Sequence, residues 1–254
     1  MSDLFDIAGK VALITGSGQG LGYTLAEGLA KAGCRIILND IDPKRLEMAV
    51  NRLSADGHEV LSAAFDVSDE GQVRAEIDSL KGSVNSIDIL VNNAGIQIRG
   101  MLEEFDTADW DLMMNVNLKG AFVVAKVVGK GMIERQAGKI INICSIQSEL
   151  ARPSIAPYTA SKGGVRNLTK GMATDWARHN IQINAIAPGY FKTAMTKALY
   201  EDEKFDAWLC ARTPSNRWGN PEELVGALVF LSSAASSYVN GQTLYVDGGM
   251  TACV

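Results

Sequence analysis

Tyr158 and Lys162 lie four residues apart, and Ser145 lies thirteen residues before the tyrosine. Side chains at i and i+4 are neighbours on one face of a helix. A phenol, with a pKa of about 10, handles protons poorly at neutral pH unless a nearby cation favours its ionised form. Lys162 can supply that cation, and the Ser145 hydroxyl can hold a carbonyl against the phenol. The set suits moving a proton to or from a carbonyl or alcohol oxygen. A Tyr-x-x-x-Lys pair also arises by chance, so its meaning depends on what the rest of the chain builds around it.

Short β-branched runs alternate with amphipathic stretches along the chain. Strands are predicted at 11–15, 35–39, 60–65, 87–91, 139–144, 181–187 and 243–246. Helices are predicted at 21–32, from Pro43 towards Asp56-Gly57, at 69–81, at 107–117 continuing to 135, at 157–179, and from Pro221. Several strands are continuous apolar runs, the mark of a parallel sheet covered on both faces. The expected fold is a single doubly wound α/β domain of Rossmann type over residues 1–254, with a parallel seven-stranded sheet flanked by helices.

Apolar residues make up 47% of the 254, enough for a substantial core. No apolar run approaches the length that spans a membrane, and the acidic start Met1-Ser2-Asp3-Leu4-Phe5-Asp6 lacks the character of a signal peptide. Cytoplasmic location and no membrane partner are expected. A net charge of −5 argues against a nucleic-acid partner. Four scattered cysteines and two histidines, His58 and His179, give neither a zinc site nor a disulfide frame nor a Ser-His-Asp triad. No metal is expected, and the Asn167-Leu168-Thr169 sequon reads as helix surface.

Between the first strand and first helix lies Thr15-Gly16-Ser17-Gly18-Gln19-Gly20-Leu21-Gly22. Glycines there let the chain turn tightly and let backbone N–H groups approach a pyrophosphate. The spacing is G-x-x-x-G-x-G, not the six-residue dinucleotide fingerprint, and an ordinary βα turn has the same composition. Asp40 closes the second strand, where a carboxylate accepts hydrogen bonds from the adenosine ribose and repels a 2′-phosphate. It favours NAD(H). Lys44 and Arg45 leave NADP(H) open, because a flexible cation nearby can reach a phosphate. Asp66 and Val67, after the third strand, are candidates for the adenine pocket.

Taken with Asn92-Asn93-Ala94-Gly95, with Asn117 in Asn115-Val116-Asn117-Leu118, and with Pro188-Gly189 and Val246-Asp247-Gly248-Gly249, these residues resemble the short-chain dehydrogenase/reductase family over nearly the whole chain. The resemblance implies that Tyr158 is the general acid of reduction and the base of oxidation. Lys162 would lower its pKa and hold the nicotinamide ribose. Ser145 would orient the substrate oxygen, and Asn117 would hold a water on a proton path from Lys162. Gly16, Ser17, Gln19, Gly20, Leu21 and Gly22 would hold the pyrophosphate. Asn93, Ala94 and Gly95 would let the cofactor lie close to the backbone, and Pro188, Gly189 and Thr193 would flank the nicotinamide. It also implies a homotetramer.

A narrower resemblance, to family members acting on sugar acids, rests on Ile141-Asn142-Ile143-Cys144-Ser145, Gln147-Ser148-Glu149-Leu150, Ala187 to Thr193, and Arg217-Trp218-Gly219. It implies a small sugar-acid substrate and a lid at about 190–218. Gln97-Ile98-Arg99 departs from it, standing where those members carry two adjacent arginines. Arg99, Gln147, Glu149, Arg152 and Lys192, with Ser145 and Tyr158, are the candidates for substrate contact. Two alternatives stay open: reduction of a 3-oxoacyl group on an acyl carrier protein, or oxidation of another polyol, by the same residues, and a non-catalytic nucleotide sensor on the same fold. Asp40, the lack of a basic residue at Gln19 and the acidic balance weigh against the acyl-carrier reading. The intact Ser145, Tyr158, Lys162 and Asn117 weigh against the sensor.

Overall fold

The computed structural model describes residues 2–253. Its strands are β1 (Val11–Ile14), β2 (Arg35–Asp40), β3 (Val60–Ala64), β4 (Ile89–Asn92), β5 (Gly138–Ile143), β6 (Ile181–Pro188) and β7 (Thr243–Val246). They form one sheet in the order β3-β2-β1-β4-β5-β6-β7, every neighbouring pair parallel. All of β1, β4 and β6 is buried, which explains why they read as unbroken apolar runs.

The helices are α1 (Gly20–Lys31), α2 (Pro43–Ala55), α3 (Glu70–Ser79), α4 (Thr107–Met114), α5 (Gly120–Arg135), α6 (Ala156–Trp176), α7 (Lys197–Tyr200), α8 (Glu203–Arg212) and α9 (Val225–Ser232). Local chemistry sets where several begin. The Asp42 carboxylate accepts from the Lys44 and Arg45 N–H groups ahead of α2, with Pro43 in the first turn. Asp69 does the same for α3 and Asp202 for α8.

Alternate strand residues feed two cores. Ile36 and Leu38 pack with Leu25, Leu29, Leu53 and Leu228 on one face. Ile37, from the same strand, packs with Leu13, Leu90, Val124 and Met132 on the other. The strand period of two makes this division automatic. A smaller cluster of Ile146, Leu209, Trp218 and Met250 stands apart from both.

The long helical stretch departs from expectation at its centre, where Asn115–Lys119 forms a π-helical turn between α4 and α5. The expectation about membrane-length segments also needs correcting. Thr107–Arg135 is, by length and composition alone, long and apolar enough to cross a bilayer, its most apolar 18 residues having a mean hydropathy of 1.3. That apolarity has another cause, since 56% of those 18 residues are buried inside the protein. Strand order reverses between β1 and β4, which opens a crevice above their carboxyl ends where ligands of such sheets bind.

Candidate active site

The turn from β1 into α1 is fixed by glycine. Gly16 has φ +61° and a Cβ there would lie 2.8 Å from the Ala94 Cα. A Cβ at Gly22 would collide with the Gly16 carbonyl and the Asn93 amide. Gln19 precedes α1 in an extended conformation without a side-chain cap, so the first N–H groups of the helix remain available to an anion. That arrangement fits a dinucleotide pyrophosphate. Ser17 differs from expectation: its buried hydroxyl donates to the Ile14 carbonyl (2.8 Å), leaving it to shape the turn.

Asn93 likewise serves the turn. Its Nδ2 donates to the Thr15 and Gly16 carbonyls (2.9 and 3.0 Å), while the Asn93 and Ala94 N–H groups donate to Thr15 Oγ1. One residue on, Gly95 leaves room for two functional groups. A Cβ there would meet Asn117 Oδ1 at 3.3 Å and Lys162 Nζ at 3.5 Å.

Asp40 sits at the end of β2, 5% exposed, and packs so closely over Gly18 that a Cβ at Gly18 would come within 3.0 Å of its carboxyl carbon. Its carboxylate is not free: Oδ1 accepts from Arg45 Nη2 and from the Asp42 N–H, at 2.8 and 2.9 Å. Asp66 Oδ1 accepts from the N–H and hydroxyl of Ser68 (both 2.8 Å), and Val67 packs against Gly120 of α5. The crevice-side atoms of that turn are left to backbone and the second Asp66 oxygen.

Ser145 follows the end of β5 and Tyr158 lies in the first turn of α6, with Lys162 one turn on. The Lys162 Nζ is 5.9 Å from the Tyr158 ring centre, so the pair does share a face. The lowering of the phenol pKa expected from Lys162 is not what the structure holds. Burial pushes Tyr158 up to about 12; the Ser145 hydroxyl opposes that rise, and Cys144 and Tyr190 add to it. Lys162, 5% exposed, turns its ammonium to the Ile143 carbonyl (2.8 Å) and is itself lowered by burial.

Asn117 sits in the π-helical turn, 2% exposed. Oδ1 accepts from the Ile96 N–H (2.8 Å), and Nδ2 donates to the Ile96 carbonyl (2.9 Å) and Ser161 Oγ (3.0 Å). The side chain ties the loop after β4 to α6.

Pro188 ends β6. Gly189 stands where a Cβ would lie 2.7 Å from the Asp247 Cα, and Thr193 caps a short 3₁₀ turn through Thr196. Among the substrate candidates, Gln147 is buried with no partner for its Oε1. Glu149 is drawn away by an ion pair with Arg166 and a hydrogen bond from the Tyr245 hydroxyl (3.2 Å). Lys192 is exposed beside Gly219, whose carbonyl accepts its N–H. Among the described residues the Arg99 guanidinium hydrogen-bonds only Gln97 Oε1, and Arg152 lies 5.7 Å over the Phe205 ring.

Two features escaped the sequence reading. Tyr190 feels both Arg152 and Arg99, and its phenol in turn acts on Tyr158. Beneath the site, Asn92 Nδ2 donates to Asn142 Oδ1, and Asn142 Nδ2 to Thr169 Oγ1, each at 2.9 Å. An asparagine inside the apolar run Ile141-Asn142-Ile143 was the available signal, since a buried amide needs partners.

A family profile described as Enoyl-(Acyl carrier protein) reductase matches residues 16–251. The 5-keto-D-gluconate 5-reductase of Escherichia coli (strain K12) is 55% identical over 254 residues, covering 100% of both chains. The gluconate 5-dehydrogenase of Gluconobacter oxydans (strain 621H) is 55% identical over 98% of this chain and 97% of its own. The crystal structure of a gluconate 5-dehydrogenase from Burkholderia cenocepacia J2315, in complex with NADP and tartrate, is 56% identical, covers 99% of both chains and superposes with a TM-score of 0.96.

The chain belongs to the short-chain dehydrogenase/reductase family.

It is therefore an oxidoreductase, and the reading as a non-catalytic nucleotide sensor falls. The solved relatives also correct the cofactor preference read from Asp40. The Burkholderia member of the family carries NADP, not NAD. The physical reason lies in Arg45: a carboxylate already bonded to a guanidinium no longer presents bare negative charge to a 2′-phosphate.

Proposed function

We propose that this chain interconverts 5-keto-D-gluconate and D-gluconate with NADP(H). What carries the reading is full-length similarity to enzymes of that name, joined to a site in which the Tyr158 phenol, the Ser145 hydroxyl and the Lys162 ammonium meet at the crevice. The turn Gly16–Gly22 and the first turn of α1 hold the pyrophosphate. Asp40 accepts from the adenosine ribose through its second oxygen, and Arg45 with Lys44 receives the 2′-phosphate. Asp66 faces the adenine amine, while Gly95, Pro188, Gly189 and Thr193 border the nicotinamide half. Bound there, the cofactor supplies or accepts the hydride.

Ser145 donates a hydrogen bond to the ketone oxygen and holds it against Tyr158. Tyr158 gives its proton to that oxygen as the alcohol forms, and takes it back in oxidation. A phenol raised by burial is protonated at neutral pH, which suits reduction. Lys162 replenishes the phenol's proton and receives the ribose hydroxyls. Asn117 acts through position, keeping the loop after β4 against α6. The whole forms one catalytic domain, with residues at about 190–218 as its lid over the substrate.

The protein assembles as a homotetramer in the cytoplasm. Exposed Trp110, Leu112 and Phe122 on α4 and α5, and Leu244 on edge strand β7, support the assembly. Four free cysteines suit a reducing compartment.

The test is a panel of D-gluconate, 5-keto-D-gluconate, neutral polyols and an acetoacetyl thioester with each nicotinamide cofactor, followed by absorbance of the reduced ring. Turnover of the sugar acids with NADP(H) is expected. Turnover of the thioester alone would overturn the reading in favour of acyl-carrier chemistry.

A further inference from the structure

Two guanidiniums stand on the loops that follow β4 and β5, at the carboxyl end of the sheet. Arg99 lies on the loop after β4 and Arg152 on the loop after β5. The Gly100 N–H donates to the Ser154 carbonyl (3.1 Å) and fastens these loops together. Ser154 itself is held in the left-handed region, φ +68°, with Ile155 beside it fully buried. Arg152 therefore springs from an anchored segment.

Neither arginine takes part in an ion pair among the described residues. Glu149, three residues before Arg152, is taken up by Arg166 and Tyr245. The two cations feel one another: loss of hydration first, and the Arg152 charge second, lower Arg99 from its ordinary value. Tyr190, raised by burial, is drawn back by Arg152 and then by Arg99. Since Tyr190 also acts on Tyr158, the cations are gathered at the chemical end of the crevice.

Arg152 lies over the Phe205 ring of α8, its guanidinium carbon 5.7 Å from the ring centre. Phe205 in turn packs on Tyr190 (5.7 Å), Trp208 (5.2 Å) and Trp218 (6.4 Å). A guanidinium stacked on an aromatic face keeps its planar fork of donors free at the edge, where a carboxylate binds through two parallel hydrogen bonds.

We propose that Arg152 is the specificity-determining cation of this enzyme: with Arg99 it grips the substrate carboxylate, and Phe205 of the lid holds it in place for that grip. Binding of the acid and the position of α8 are thereby coupled. Phe205 is a positioning residue. The proposal rests on the sugar-acid reading above.

Three variants, Arg152→Gln, Phe205→Leu and Phe205→Tyr, test it by steady-state reduction with NADPH. The substrates are 5-keto-D-gluconate and the neutral ketohexose in which CH2OH replaces the carboxylate. The melting temperature of each protein is also read with and without tartrate, a hydroxy acid used as a non-reacting probe. Arg152→Gln raises KM for the keto acid by roughly 10- to 100-fold, the worth of a charged hydrogen bond, and lowers kcat far less. Its loss on the neutral ketohexose is much smaller. Phe205→Leu raises the keto-acid KM by a smaller factor, and Phe205→Tyr, which keeps the ring, restores it. Tartrate stabilises the wild type and not Arg152→Gln.

An unchanged keto-acid KM in Arg152→Gln, equal losses on acid and neutral substrates, or equal stabilisation of variant and wild type by tartrate overturns the proposal. So does a wild type that tartrate fails to stabilise. If tartrate stabilises the wild type through Arg152 but 5-keto-D-gluconate is not reduced, the carboxylate grip stands and the substrate reading fails.

Discussion

On the cofactor side of the crevice, the turn after β1 is locked by two short polar side chains closing on its backbone: Asn93 Nδ2 spans two of its carbonyls, Thr15 Oγ1 receives two N–H groups, and Gly16 and Gly22 leave no room for a Cβ. Across the crevice, residues 190–218 are held by side chains. Tyr190, Tyr200, Phe205 and Trp218 pack ring on ring at 5.7–6.4 Å around a cluster that neither main core includes. The lock on the turn tolerates almost no substitution, because the fixed backbone groups accept one side-chain length at Asn93 and Thr15 and a Cβ at Gly16 or Gly22 would enter filled space. A side-chain cluster can change shape by exchanging residues. The first suits a ligand that stays the same from reaction to reaction, and the second suits a substrate that must be chosen.

Gly22→Ala breaks the comparison at its stiffest point and carries the largest expected effect. Its methyl group enters occupied space, costing about 1–3 kcal/mol as overpacking. For a chain of this size each kcal/mol lowers the melting temperature by roughly 2–4 °C. Binding of NADPH, read by its fluorescence, is lost. A variant that melts and binds like the wild type would mean that the turn is looser than its contacts imply.

Arg45→Ala probes the same side through a side chain, and its effect is selective. It weakens NADP(H) binding by roughly 10- to 100-fold, the worth of one charge-assisted hydrogen bond. NAD(H) binding changes far less or improves, because Asp40 regains a free carboxylate. Equal weakening of both cofactors by titration would remove Arg45 from the 2′-phosphate.

Trp218→Leu sharpens the other half and has the smallest effect. It removes the indole N–H bond to Asp206 Oδ1 (2.7 Å) and the ring contacts of a residue 4% exposed. The KM for 5-keto-D-gluconate rises by roughly 2- to 10-fold, less than for a lost substrate contact because Trp218 packs behind the residues that would meet the substrate, and NADPH affinity stays unchanged. A matching loss of cofactor affinity would show that the two halves are not independent.

The same contrast explains what could be read from the sequence. Strand positions and helix starts were legible because they depend on local patterns: apolar runs, Pro43, and glycines at the ends of strands. The pairing of Tyr158 with Lys162 was legible because helix geometry alone enforces it. The Asp40–Arg45 pair was not, since a carboxylate read in isolation says nothing about the cation folded onto it. The partner of Glu149 was hidden for the same reason, Arg166 lying on a different element. The raised phenol of Tyr158 comes from burial by several segments, a quantity no spacing encodes. Residues 190–218 gave least, because their short helices bury aromatic side chains without a long periodic face.

The central claim is that Tyr158 moves the proton. The measurement is the rate of D-gluconate oxidation with NADP+ against pH, for wild type and Tyr158→Phe, with NADPH binding measured alongside. The base must be deprotonated and burial raises its pKa, so the wild-type rate climbs through the alkaline range, while reduction by the protonated phenol does not. Tyr158→Phe is slower by roughly 10²- to 10⁴-fold, the usual contribution of a general acid or base, and loses that climb while still binding NADPH. A phenylalanine variant that oxidises gluconate at the wild-type rate with the same pH profile would contradict the account.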